Sequence, residues 1–165
     1  MSRRRPLLGL LFVLVSMGAL LLGPAASARP TALFAGLRGA REVPGPGDPD
    51  AKGRALIGVA VQQQRLCWAL HVRNIELPAT AAHIHAGRPD VAGPIVVPLG
   101  APDETGVSVG CAQGLDRGLL RDIKRHPRRY YVNVHNEPYP AGALRGQLRV
   151  LIAPSAAGRR IEAAA

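Results

Sequence analysis

The sequence predicts an all-β domain, a β-sandwich or Greek-key barrel with one short helix. Three observations carry this. Apolar and polar residues alternate with a period of two in about seven short segments, the spacing of half-buried strands. Nineteen glycines and fifteen prolines punctuate the 165-residue chain between those segments. Helical periodicity occurs in a single place, and nothing suggests an internal repeat or a second domain.

Thr31–Arg38 reads as the first strand. It leads through Gly39–Pro44 into a Gly/Pro/Asp-rich loop, Gly45–Asp50, that is too dense in turn formers to be helical. Gly53–Val61 alternates, with Ala55, Ile57, Val59 and Val61 on one side. After a turn at Gln62–Gln64, Leu66, Trp68, Leu70 and Val72 form the apolar side of the next strand, so the two pair as a hairpin. His71 falls on the opposite side with Cys67, Ala69 and Arg73. Leu77-Pro78 then breaks the chain ahead of a strand at Ala81–Gly87.

A polar loop, Gly87–Gly93, is followed by a short strand pinned by proline at each end, Pro94–Pro98. Pro102–Thr105 turns the chain and Gly106–Cys111 extends it. Leu115, Leu119, Leu120 and Ile123 then recur at helical spacing, with Asp116 as the cap and Pro127 as the stop. The other face of that helix, with Arg117, Arg121, Lys124 and Arg125, is a solvated one. Tyr130–His135 is a strand, Asn136–Gly142 a turn and Ala143–Ile152 the last strand, ahead of a disordered tail at 154–165.

The chain opens with Ser2-Arg-Arg-Arg5, an apolar run from Leu7 to Gly23 and the small-x-small site Ala26-Ser27-Ala28. That order predicts a signal peptide, residues 1–28, cleaved after Ala28, and a secreted or periplasmic product with no stable membrane insertion. Ser2-Arg3-Arg4 hints at a twin-arginine signal, while Pro6 and the greasy core favour the general route; the choice stays open. The remaining 137 residues keep 18 basic side chains against 11 acidic ones, and arginine outnumbers lysine 19 to 2 over the whole chain. Coding bias and solubility account for such a balance. Attraction to anionic polymers or membranes is the functional counterpart. No aromatic-interleaved basic stripe supports nucleic-acid binding.

Two cysteines in an exported chain, Cys67 and Cys111, argue for one disulfide. Neither has another ligand at metal-binding spacing. Hydrolytic chemistry has little support: Ser108 and Ser155 lie in no nucleophile motif, and Asp90 and Asp103 lack a paired carboxylate. The histidines are more informative. Alternation puts His83 and His85 on one face with Ile84 opposite, and Tyr131, Asn133 and His135 on one face with Val132 and Val134 opposite. If the two strands meet, three imidazoles converge.

Several motifs in order resemble the CHRD domain, the module repeated in the extracellular antagonist chordin. They are Phe34–Pro44, Ala82-His-Ile-His-Ala-Gly87, Gly93-Pro-Ile-Val-Val97, Tyr131-Val-Asn-Val-His135 and Pro140–Leu148. The resemblance spans nearly the whole mature chain and assigns the domain to residues 29–153. It implies an immunoglobulin-like β-barrel and an exported single-domain bacterial protein, and leaves molecular function open.

The expected role is therefore a binding or structural module rather than an enzyme. Its candidate site is a copper or zinc centre at His83, His85 and His135, with His71 as a potential fourth ligand if its strand shares the sheet face. Asn133, Tyr131 and Arg145 stand as outer supports that orient the ligands. Glu42 is a partner for Arg145 across the barrel; Glu137 or plain solvent are alternatives for the same arginine. Gly146 allows a bulge or a close backbone approach. His126 reads as a helix-end cap. Two other classes compete. One is a copper-dependent redox enzyme with a superoxide-dismutase-like site; the other is a module that binds extracellular protein or polysaccharide through its loops, with the histidines merely hydrogen-bonding backbone.

Overall fold

The computed structural model describes residues 31–151; the leader assigned to 1–28, its cleavage point and the tail assigned to 154–165 lie outside the described residues. Nine strands form one antiparallel sheet: β1 Thr31–Arg38, β2 Lys52–Ala60, β3 Arg65–Arg73, β4 Ala81–Ala86, β5 Ile95–Leu99, β6 Val107–Ala112, β7 Tyr130–His135, β8 Leu144–Gln147 and β9 Arg149–Val150. A helix, α1 at Arg117–Arg125, lies between β6 and β7. The strand order is β5-β4-β7-β8-β1-β2-β3-β6, with β9 pairing β1 in addition. The ends of that order approach each other: Ser108 Oγ of β6 donates to the carbonyl of Gly100, just past β5, at 2.7 Å. The result is a nearly closed barrel.

Alternation explains most of it. Leu33, Ala35 and Leu37 of β1, Ala55, Ile57 and Val59 of β2, and Leu66, Leu70 and Val72 of β3 all point inward and are at most 2% exposed. Each large aliphatic side chain buried this way contributes roughly 1.5–3 kcal/mol. Asp116 caps α1 by accepting from the Leu119 amide at 2.8 Å, while Leu120 and Ile123 bury its apolar side. Cys67 and Cys111 sit directly opposite on β3 and β6 and form the expected disulfide.

Two strand expectations change. The final strand is broken at Leu148, which is fully buried and whose N–H donates to the Tyr130 carbonyl at 2.9 Å. β8 therefore runs along β7 and β9 along β1. Gly146, next to this break, approaches another backbone so closely that a Cβ there would stand 2.1 Å from the Gly36 carbonyl oxygen. The proline-flanked strand runs from Ile95 to Leu99 and includes Pro98. Proline is tolerated there because β5 is the terminal strand of the order and needs no amide on its free side.

Candidate metal centre

β4 and β7 are neighbours in a register that sets His83 opposite Asn133, His85 opposite Tyr131 and Ala81 opposite His135. The period of two then gathers the imidazoles of His83, His85 and His135 on one side. Their ring centroids are 5.2 Å (His83–His135), 5.6 Å (His83–His85) and 6.2 Å (His85–His135) apart. One ring nitrogen from each lies within 4.8 Å of the other two.

Hydrogen bonds fix which nitrogens are free. His85 Nδ1 is 2.8 Å from the Gly93 carbonyl and His135 Nδ1 is 3.0 Å from the Pro140 carbonyl. A carbonyl only accepts, so both Nδ1 atoms carry the proton and both Nε2 atoms present a lone pair. Nε2 of His85, in a residue 8% exposed, has no hydrogen-bond partner at all. His83 Nδ1 stands 3.4 Å from His135 Nε2. That is close to the edge of a tetrahedron built with metal–nitrogen bonds of about 2.0–2.1 Å. The imidazoles are also held neutral, the state in which they ligate. Burial lowers the pKa of all three; neighbouring imidazoles lower His83 and His135 further, and the Arg145 guanidinium lowers His85, against an opposing effect from the carbonyl contacts of His85 and His135.

Tyr131, Asn133 and Arg145 lie close to the cluster, in an arrangement that alternation alone does not give. Tyr131 stacks on His85 at 4.9 Å with nearly parallel rings, and the Arg145 guanidinium lies 3.5 Å from the Tyr131 ring centroid. Arg145 lies neither in water nor against Glu137. It is 1% exposed, and its guanidinium donates to the carbonyls of Arg88 and Val91 in the Gly87–Gly93 loop. The same loop is held by Gly93 N–H donating to Tyr131 Oη at 3.1 Å and by Gln147 donating to the Gly87 carbonyl at 2.6 Å. A Cβ on Gly93 would fall 1.6 Å from the Ala86 carbonyl oxygen, so only glycine brings its carbonyl to His85. A buried arginine thus pins a loop, and the loop orients a histidine.

Asn133 is buried and donates to Glu42 Oε2 at 3.4 Å. Glu42 is 8% exposed; desolvation outweighs the nearby Arg145 charge and pushes its pKa up to about 7. Arg145 thus acts on Glu42 as a nearby charge, while its own hydrogen bonds go to the loop. His71 does not join the cluster. It lies on β3, with Arg54 and Val107 as its cross-strand neighbours and β8, β1 and β2 between it and β7. His126 takes the helix-end position expected of it, with Nε2 3.9 Å from Asp122 Oδ1. The carbonyl anchors Gly93 and Pro140 were not foreseen. The sequence marks them only as the first residues of two motifs, Gly93–Val97 and Pro140–Leu148.

The fold and site together define a small β-barrel with a histidine cluster on the β4–β7 pair. The family model for the CHRD domain matches residues 33–148, and the chain belongs to that family. No curated protein and no solved structure matches the chain.

Proposed function

We propose that this CHRD-domain protein is an exported binding module that holds one copper or zinc ion through His83, His85 and His135. The observation that carries this is His85 Nε2, a buried lone pair with no protein partner, beside two further imidazoles whose nitrogens lie within 4.8 Å. An orphaned buried acceptor costs roughly 1–3 kcal/mol, and an ion in the cluster would remove that cost. Imidazole suits both copper and zinc, and three of them leave a position open for water or an exogenous ligand. The carbonyl-anchored Nδ1–H groups are the outer hydrogen bonds that metal-binding histidines use. A disulfide and a leader-type N-terminus support an oxidising, extracytoplasmic setting. Among the described residues, no helix is long and apolar enough to cross a membrane.

The test is titration of the leader-free, disulfide-formed protein with Cu(II) and Zn(II), followed by metal analysis and Cu(II) electron paramagnetic resonance. One equivalent bound, with nitrogen hyperfine structure lost in His83→Ala and His135→Ala, is the expected result. No binding by a folded wild type would overturn the proposal.

A further inference from the structure

The outer face of β1, β2, β3 and β6 carries a pattern that metal binding does not use. Register lines its outward residues into rows across the strands. Arg38, Lys52 and Arg73 stand in one row, and Gly36, Arg54, His71 and Val107 in the next. The third row is Phe34, Leu56, Ala69 and Val109. Like charges placed directly opposite on neighbouring strands repel and destabilise a sheet. Here three cations share one row, Arg54 stands in the next, and none of the four has an ion-pair partner among the described residues. With Arg41 they border an open groove of about 450 Å³ whose lining contains no carboxylate. The neighbouring row is apolar and open to water: Val109 is 75% exposed and Leu56 47%; Val107, next to His71 at the end of the Arg54 row, is 39% exposed.

We infer that this face docks on the surface of a bilayer rich in anionic phospholipid. Successive rows on one face lie roughly 7 Å apart, twice the rise per residue. A lipid surface offers the same succession, with phosphates that receive guanidinium and ammonium groups and acyl chains beneath them that receive aliphatic ones. A soluble polyanion would satisfy Arg38, Lys52, Arg54 and Arg73 but leave Leu56 and Val109 in water. The contact is peripheral, since the strands are paired within the barrel. It is independent of the histidine cluster, which lies on β4 and β7.

The experiment is co-sedimentation of the chain, with the leader removed after Ala28, with phosphatidylglycerol-containing vesicles and with pure phosphatidylcholine vesicles, at low and high salt. Binding to the anionic vesicles alone, weakened by salt, is expected. The pair Lys52→Ala/Arg54→Ala should lower it about 30-fold, at the worth of a basic residue near such a surface. Leu56→Ser/Val109→Ser should lower it several-fold while leaving heparin binding unchanged. All four positions are solvent-facing, and an unchanged unfolding midpoint certifies the fold of each variant. Absence of sedimentation overturns the inference, as does equal binding to phosphatidylcholine. Indifference to the alanine pair would also overturn it, because the cations would then lie elsewhere. Indifference to the serine pair would overturn it in favour of a purely polyanionic partner.

Discussion

The two halves of the barrel treat polar side chains in opposite ways. On β1, β2, β3 and β6 the cations stand on the outside with a few aliphatic groups, the interior is aliphatic, and no buried side chain is charged. Around β4, β7 and β8, by contrast, His85, Asn133, Arg145 and Glu42 are all buried. There the sheet's second face is covered by the Gly87–Gly93 loop, whose carbonyls receive Arg145, His85 and Gln147. The first half buys stability from alternation and a disulfide. The second spends some of it to hold imidazoles in one orientation. Burying a polar network is worthwhile only if its members are satisfied, and the three acceptors left unsatisfied there are Glu42 Oε1, His85 Nε2 and Asn133 Oδ1.

The contrast can be broken most forcefully at the disulfide. Cys67→Ser/Cys111→Ser opens a loop of 44 residues' separation and should cost about 4 kcal/mol in the chain-entropy model, measured by urea unfolding. In the other half, Arg145→Ala strips the loop carbonyls and the Tyr131 ring of their partner and should cost about 3 kcal/mol. Its loop amides should also lose hydrogen-exchange protection. Arg54→Ala, on the open face, should stay within about 0.5 kcal/mol in the same assay.

A finer distinction comes from pH. Glu42 is raised from 4.5 to about 7, so its contribution is full below pH 4.5 and is lost as pH rises through about 7. Glu42→Gln should therefore gain on wild type between pH 5 and 8, by on the order of 1–3 kcal/mol. The three histidines have the opposite sign. Their pKa values are lowered, so their contribution is full above 6.5 and is lost as pH falls through the folded-state values. Metal-free wild type should be most stable near neutrality. A variant with glutamine at His83, His85 and His135 should lose less stability on acidification, read in the same unfolding assay.

Legibility in the sequence divides along the same line. β1, the β2–β3 hairpin, the Asp116-capped helix and the disulfide follow from period, turn chemistry and cysteine count, because one face of each strand meets water. The convergence of His83, His85 and His135 was likewise visible, since it needs only a period of two and one strand pairing. Arg145 was not legible as a buried residue. Alternation says which face a side chain takes, but not that a loop distant in sequence folds back over that face. For the same reason His71, correctly placed opposite the apolar side of its strand, remained a candidate ligand until the strand order put three strands between β3 and β7. The split of the last strand at Leu148 also depends on tertiary contacts, a core position and the Tyr130 carbonyl.

The most direct measurement of the central claim is the side-chain ¹⁵N spectrum of the five histidines during addition of one equivalent of Zn(II). Before metal, His85 and His135 should both show Nδ1 protonated and Nε2 as the free lone pair. With metal, Nε2 of these two and one nitrogen of His83 should shift together and saturate at a single equivalent, while His71 and His126 stay in place. Shifts at His71 or His126 alone, or no saturable change at His85, would contradict a three-histidine centre.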